Sequence, residues 1–181
     1  MTPFGYAMTA YLSVLAIGGL SLVPTTPKLI WNASASAPIG LYRVEPAGNL
    51  AIADLVAVDP PEPVATLLAN GGYLPRGVRL IKHVTGLPGQ KVCRIGSVIS
   101  VDGIALGKAL ERDRFGRSLP IWKGCLRIAE DQVFLMNSTI RDSLDGRYFG
   151  PIATHSIIGR VVSIWTDEDG DGRFEWHASA H

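Results

Sequence analysis

The stretch NASASAPIGLY, residues 32 to 42, connects an apolar N-terminal segment to the first β-like pattern of the chain. Its Asn-Ala-Ser triplet fits a glycosylation acceptor, and either of its Ala-Ser-Ala triplets fits the small-residue site at which signal peptides are cut. Ser34 and Ser36 ahead of Pro38 also fit a loop that presents a nucleophile. The sequence on both sides of the stretch decides among these three interpretations.

The segment before the stretch is apolar. Residues 4–23, FGYAMTAYLSVLAIGGLSLV, carry no charge, and as a helix they would be about 30 Å long, which matches the hydrocarbon thickness of a bilayer. A cleaved signal peptide needs a basic start and a cleavage site close behind its core, but residues 1–3 contain no Lys or Arg. The Ala-Ser-Ala tract lies ten or more residues further on. We therefore predict an uncleaved membrane anchor over residues 1–27 and one domain over residues 28–181.

Length and charge limit the kinds of partner. The 181 residues suffice for one domain with a core. The 17 Lys and Arg stand against 16 acidic side chains and form no basic block of the kind that follows a phosphate backbone, so we expect no nucleic-acid partner. The two cysteines, Cys93 and Cys125, are compatible with one disulfide outside the cytoplasm or with two buried thiols.

After residue 27 the pattern is short and β-rich, without sustained helical periodicity. The clearest element is a hairpin over residues 97–106, whose Asp102-Gly103 pair is typical of a type I′ turn. One short helix is predicted at residues 63–69. Further strands are predicted at residues 41–44, 54–58, 78–84, 125–128, 132–136 and 157–165. These elements indicate a mostly β domain of antiparallel sheets.

A serine nucleophile needs a group that takes its proton. The sequence contains four histidines, none in a triad-like context: His83, His155, His177 and His181. Lys82 differs, because strand alternation within LIKHVTG places it on one face with Leu80 and Val84. Apolar surroundings lower the pKa of a lysine and allow its neutral amine to accept a proton. The alternative is a packed stem whose ammonium group reaches water.

Three segments, in this order, resemble the sequence boxes of the type I signal peptidases. They are Ser34-x-Ser36-x-Pro38, RLIKHVTGLPGQKV at residues 79–92 and RDSLDGRYFG at residues 141–150. The motifs NxSxSxPxGLY at residues 32–42 and WxGC at residues 122–125 are most similar to the conjugative-transfer peptidases called TraF, which process pilin precursors in plasmid-borne secretion systems. The likeness covers nearly the whole chain, including the anchor.

The resemblance implies a role for each matching residue. Ser36 would be the nucleophile and Lys82 its general base. The Ser34 hydroxyl would join the Ser36 backbone N–H in an oxyanion hole. Ser143 matches the position whose hydroxyl holds the lysine amine. The small residues around Ser36 then suit a loop that a substrate backbone must approach closely.

The third box matches the family only in part. Asp145 and Arg147 match a pair that supports this region structurally. In this chain Asn137-Ser138-Thr139-Ile140 replaces the usual Gly-Asp-Asn opening, and Gly146 stands where many relatives carry Ser. The role of Ser143 therefore follows less directly from the resemblance than those of Ser36 and Lys82.

The resemblance implies a serine endopeptidase of the bacterial inner membrane, with a mostly β catalytic domain in the periplasm on a single transmembrane helix and with no cofactor or metal. Expected partners are a precursor pilin or preprotein, the inner membrane and other components of conjugation or type IV secretion. Lys28, the only basic residue beside the span, favours the opposite orientation, whereas the family likeness and a Cys93–Cys125 bridge favour the periplasm.

Two alternative functions remain. One is a general leader peptidase with broad preprotein substrates, and the other is a membrane-anchored scaffold without catalysis.

The motif Asp167-x-Asp169-x-Asp171-Gly172 resembles the first half of a calcium loop. Its twelfth position is Ala178 instead of a bidentate Glu. We therefore expect a solvated acidic turn and no metal.

Overall fold

The structure is a computed structural model that describes residues 2–21 and 27–177. It begins with helix α1 (Pro3–Ser21), whose large apolar side chains, such as Phe4 and Val14, are exposed. Among the described residues, no helix combines the length and the apolar character needed to cross a bilayer. Residue 1 and residues 22–26 of the predicted anchor lie outside the described residues, and the anchor stays a prediction.

The remainder is built mainly from short strands. They are β1 (Leu29–Asn32), β2 (Ile39–Glu45), β3 (Leu55–Val58), β4 (Leu80–Gly86), β5 (Lys91–Ile95), β6 (Val98–Val101), β7 (Ile104–Lys108), β8 (Gly124–Arg127), β9 (Gln132–Leu135), β10 (Ile152–Ala153), β11 (Ile157–Asp167) and β12 (Glu175–Trp176). Two further α-helices are α2 (Glu62–Asn70) and the single turn α3 (Gly146–Phe149). The predicted mostly β class is confirmed.

The strands form two antiparallel sheets. The larger has the order β1-β2-β11-β3-β4-β9-β10, with β12 paired to β11, and the smaller has the order β7-β6-β5-β8. Every strand pairing is antiparallel. The chain therefore returns repeatedly to the larger sheet, and this places segments distant in sequence on neighbouring strands.

The centre of the larger sheet is covered on both faces. One apolar cluster includes Ile30, Tyr42 and Ala57, and a second cluster on the opposite side includes Val56, Val58 and Leu68 of α2. Burying a large aliphatic side chain contributes about 1.5–3 kcal/mol, so these clusters hold the sheet in place. Lys82 on β4 shares the face of Leu80 and Val84, which belong to the second cluster, so this polar side chain is also buried.

The predicted strands and the short helix are present, with ends that coincide or shift by one or two residues. The hairpin turn at residues 102–103 is confirmed, with positive φ at Asp102 (47°) and Gly103 (82°). The prediction missed β1, β5, β10, β12 and α3. These elements have only two to five residues, too few to show a period.

The two cysteines lie directly opposite each other on β5 and β8 of the smaller sheet, and they form a disulfide. The bond joins residues 32 positions apart in the chain. It therefore ties the edge strand β8 to the centre of that sheet.

The acidic turn differs in part from the expected solvated form. Asp167, at the end of β11, is buried, and its carboxylate accepts the backbone N–H groups of Asp171 (3.1 Å) and Gly172 (2.9 Å). Asp167 therefore closes the turn, while Asp169 and Asp171 are exposed. Within the described ranges, no group of three His, Cys, Asp or Glu side chains is placed to hold a metal ion.

Candidate active site

The loop of residues 33–38 joins β1 to β2 and carries both serines of the first box. Gly40 lies just after the loop, near the start of β2. A Cβ atom at this position would collide with the carbonyl oxygen of Trp165 on β11, and φ is +149°. Only glycine suits that combination of close approach and backbone conformation. The following strand can therefore run flush against β11 and hold the end of the loop.

The buried carboxamide of Asn32 organises the interior of this loop. Its Nδ2 donates to the carbonyl oxygens of Ser34 (2.9 Å) and Ala37 (3.0 Å), and its Oδ1 accepts the Ser34 backbone N–H (3.1 Å). Oδ1 also accepts the Ser34 hydroxyl at 2.9 Å. The Ser34 and Ser36 hydroxyl oxygens lie 3.1 Å apart. The loop thus presents two adjacent half-buried hydroxyl groups.

Lys82 lies near the middle of β4 and is only 2% exposed. Its Nζ donates to the Ser143 hydroxyl at 2.8 Å. Burial lowers the pKa of Lys82 from its ordinary value to about 8, Asp145 acts to raise it, and Arg147 acts to lower it. The ammonium group does not reach water, which rules out the alternative of a solvated amine. The structure therefore provides an amine that loses its proton at mildly alkaline pH.

The third segment surrounds a buried ion pair. Asp145 and Arg147 form two hydrogen bonds of 2.9 Å, and Asp145 also accepts the Arg147 backbone N–H at 3.1 Å at the start of α3. The guanidinium donates to the carbonyl oxygens of Ile140 (2.7 Å), Arg141 (3.1 Å) and Ser143 (3.0 Å). These bonds fold residues 140–143 around Arg147, so that the Ser143 hydroxyl faces Lys82.

The serines and the lysine share a cavity of about 310 Å³. Ser34, Ser36, Lys82 and Ser143 line one part of it. Apolar side chains line much of the remainder, and they include Leu68, Leu74, Leu80, Leu110, Leu119, Ile140 and Leu144. A mainly apolar cleft with a few convergent polar groups is the usual form of a binding site for a small molecule or a peptide segment.

The loop of residues 110–119, which contributes to the cavity lining, is bonded to the turn after α2. The Tyr73 hydroxyl donates to Asp113 at 2.5 Å, and Arg117 Nε donates to the same carboxylate at 2.6 Å. The Arg117 guanidinium also lies 4.6 Å from the centre of the Tyr73 ring. These contacts hold the loop of residues 110–119 beside the cavity.

The expected pair of Ser36 and Lys82 faces the same cavity, but each group bonds to a different neighbour. The Ser36 hydroxyl interacts with Ser34, and the Lys82 amine interacts with Ser143. No hydrogen bond joins Ser36 to Lys82 within the described residues. In enzymes without substrate, catalytic hydrogen bonds are often long and tighten only in the complex.

Two residues of the site escaped the sequence reasoning as functional groups. Asn32 and Asn137 are buried, and both donate to carbonyl oxygens of the loop that carries Ser36. Asn32 was visible only as part of a motif, and Asn137 only as a departure from the family pattern. The signal that could have identified them is an amide side chain next to an apolar strand, since a buried amide must have hydrogen-bond partners.

Comparison with known proteins gives matches over most of the chain. The model of the family described as "Signal peptidase, peptidase S26" matches residues 3–166. A probable conjugal transfer protein TraF of Sinorhizobium fredii (strain NBRC 101917 / NGR234) is 35% identical over 145 residues, which cover 75% of this chain and 76% of that protein. The conjugal transfer protein TraF of Agrobacterium fabrum (strain C58 / ATCC 33970) is 32% identical over 172 residues, 88% of this chain and 96% of that protein.

Among solved structures, a signal peptidase I from Enterococcus faecalis V583 is similar with a TM-score of 0.41 and 19% identity, covering 64% of this chain and 99% of that one. The sequence matches are the ones that define the class. The chain belongs to the signal peptidase family, peptidase S26. Within that family it is similar to the proteins named TraF, which confirms the resemblance seen in the motifs at residues 32–42 and 122–125.

The ion pair yields a prediction about stability. Replacing Asp145 with Asn leaves the Arg147 guanidinium buried without its counter-charge, and loss of one partner of a buried pair costs about 3–5 kcal/mol. We expect the Asp145→Asn variant to unfold at a clearly lower urea concentration than the unaltered chain. Glu62→Gln is the matched control, because it removes an exposed partner of Arg76 and should leave the midpoint almost unchanged. Equal midpoints for the two variants would contradict a supporting role of Asp145.

Proposed function

We propose that this chain is a serine endopeptidase in which Lys82 takes the proton of Ser36, and Ser36 attacks a peptide carbonyl carbon. The observation that carries the proposal is the buried Lys82 amine, whose pKa is lowered to about 8, facing the same cavity as the Ser36 hydroxyl. Membership of a peptidase family supports it. A lysine with an ordinary pKa would remain protonated and could not act as a base near neutral pH.

The hydrogen bonds indicate what must change when a substrate binds. The Ser34 hydroxyl donates to Asn32, so in the Ser34–Ser36 contact it is the acceptor and Ser36 is the donor. In the proposed mechanism the Ser36 hydroxyl turns from Ser34 toward Lys82 Nζ and gives its proton to the amine, while the amine keeps its hydrogen bond to the Ser143 hydroxyl. A rotation of the Ser34 hydroxyl lets it donate to the developing oxyanion beside the Ser36 backbone N–H.

The reaction then proceeds in two steps. Ser36 Oγ forms a bond to the carbonyl carbon, the proton held by Lys82 passes to the leaving amine, and an acyl-enzyme results. Water activated by the neutral Lys82 amine releases the acyl group and restores the serine. Attack by an amine of the substrate chain itself would give a cyclic product instead.

The biological substrate is proposed from the relatives. Two of them are described as conjugal transfer proteins, and we place this chain in the same process. Its substrate would be a precursor pilin that is cut next to small side chains. Its partners would be other components of conjugation or type IV secretion. The purified chain should cut a pilin precursor and leave unrelated preproteins intact. Comparable cutting of several preproteins would instead favour a general leader peptidase.

We also propose that residues 1–27 anchor the chain in the inner membrane and that the peptidase domain lies in the periplasm. The uncharged N-terminal segment and the Cys93–Cys125 disulfide support this placement, because disulfides persist in oxidising compartments. A reporter enzyme that works only in the periplasm should be active when it is fused after His181, and one that works only in the cytoplasm should be inactive there. Activity of the cytoplasmic reporter at that position would show that the domain lies on the cytoplasmic side.

Replacement of the base tests the mechanism directly. Lys82→Arg should lower kcat/KM for pilin-precursor cleavage by about 10²–10⁴-fold, as Lys82→Ala should, because a guanidinium stays protonated. Lys91→Arg is the control, since Lys91 is an exposed lysine on β5 and its replacement should leave cleavage unchanged.

Substantial cleavage by Lys82→Arg would show that another group is the base. If the Ser36→Ala variant still supports conjugation as well as the unaltered chain does, the scaffold alternative is favoured over catalysis.

The lowered pKa predicts how activity depends on pH. Lys82 must be neutral to accept a proton, so kcat/KM should rise with pH and reach half of its upper value near pH 8, the pKa set mainly by burial. Cleavage of a pilin precursor measured from pH 6 to pH 9.5 checks this expectation. A profile that is flat across that range, or that falls between pH 7 and pH 9, would exclude neutral Lys82 as the base.

A further inference from the structure

Asn137 lies two residues after the end of β9, where the third box of this chain departs from the family pattern. We infer that Asn137 is a positioning residue that sets the separation between Ser36 and Lys82, an inference that rests on the proposed function. The side chain touches neither reacting group. It contacts the backbone of the two segments that carry them.

Both the nitrogen and the oxygen of the Asn137 carboxamide make hydrogen bonds. Its Nδ2 donates to the carbonyl oxygen of Ser36 and, at 3.1 Å, to that of Ile81. Its Oδ1 accepts the backbone N–H of His83 at 3.0 Å and lies 3.2 Å from His83 Nδ1. Ile81 and His83 are the two neighbours of Lys82. One amide group therefore joins the peptide of the nucleophile to the peptides on both sides of the base.

The position of this amide is itself fixed by the third segment. The backbone N–H of Asn137 donates to Asp145 (3.1 Å), and its carbonyl oxygen accepts from Arg147 (3.4 Å). The residue before it continues the strand ladder, since the Met136 N–H donates to the His83 carbonyl oxygen at 3.0 Å. Asn137 is only 2% exposed, so water cannot replace these bonds without opening the core.

The sheet alone does not provide this connection. In the strand order, β11 and β3 lie between β2 and β4, so the loop of residues 33–38 and the strand of Lys82 are not paired neighbours. Asn32 bonds only within the loop and its flanks. Within the described part of the chain, Asn137 is the one side chain that hydrogen-bonds to both the loop and β4. Its loss should therefore change the Ser36–Lys82 distance more than it changes the cavity.

The size of the effect follows from the demands of proton transfer. A displacement of about 1 Å in a reacting group can cost about 10²-fold in rate. Substrate binding by the apolar cavity does not involve Asn137, which does not line it. Loss of the amide should thus lower kcat and leave KM nearly unchanged.

Two variants of the full chain test the inference. Asn137→Asp keeps the shape of the side chain and its acceptor for the His83 N–H but loses both N–H donors. Asn137→Ser has a side chain too short to make any of these hydrogen bonds. Val101→Ala is the matched control, because Val101 is buried in the smaller sheet and its truncation loosens a core away from the cavity.

Cleavage of a pilin precursor, thermal unfolding and hydrogen exchange of the peptide that contains residues 33–38 are measured for each chain. Both Asn137 variants should lose about 10²-fold in kcat, with KM within about threefold of the unaltered value, and exchange in the loop should become faster. Val101→Ala should lower the melting temperature while kcat and loop exchange stay as they were.

The inference is overturned if the Asn137 variants lose no more kcat than Val101→Ala does, or if loop exchange does not change in them. Exchange is independent of catalysis, so it still decides the positioning role if the unaltered chain cuts no precursor. A lack of cleavage by the unaltered chain would contradict the proposed function without deciding the positioning role of Asn137. Faster loop exchange in Asn137→Asp alone is sufficient support if Asn137→Ser does not fold.

Discussion

The exclusion of water from the Lys82 amine is the constraint on which the rest of this structure depends. An isolated ammonium ion in a dry interior is costly, so burial favours the neutral amine and lowers its pKa. The nearby Asp145 carboxylate would restore the charged form, but the Arg147 guanidinium is bound to that carboxylate and acts in the opposite direction. The ion pair is thus both a support for the loop of Ser143 and a means of limiting the carboxylate's effect on Lys82.

The loop of Ser36 is held in a different way from the rest of the fold. Its residues are mostly alanine and serine, whose side chains are too small to provide much packing energy, and a substrate backbone needs that open space. Carboxamides replace packing here. Asn32 bonds to the loop from within, and Asn137 joins it to β4. Each buried amide bond is specific in direction, so the loop is precise in position although it contributes little to the apolar core.

The groups proposed to react lie in one cavity, but in this structure they are bonded to other partners. The chain belongs to a peptidase family, and its amine and hydroxyl groups share one apolar cavity. Each of them is bonded to a neighbouring hydroxyl, Ser36 to Ser34 and Lys82 to Ser143. The proposed mechanism requires the Ser36 hydroxyl to leave Ser34 and the Ser34 hydroxyl to leave Asn32. The backbone that carries these groups is already held on both sides of the cavity.

The sequence by itself determined the β-rich class, the family and most of the polar residues of the site. Strand alternation placed Lys82 on an apolar face, and the spacing of the boxes singled out Ser36, Ser143, Asp145 and Arg147. These signals are local, because a strand pattern or a motif needs only neighbouring residues.

Only the tertiary structure decided which groups meet and how. It bonded the Ser36 hydroxyl to Ser34, and it placed Asn137 between two hydrogen-bond partners, His83 and Ser36, that lie 54 and 101 residues away in the chain. It also buried Asp167 inside a turn that was expected to be solvated. Such contacts depend on the order of the strands and on the hydrogen-bond partners that buried polar groups find. Neither produces a periodic pattern in the sequence.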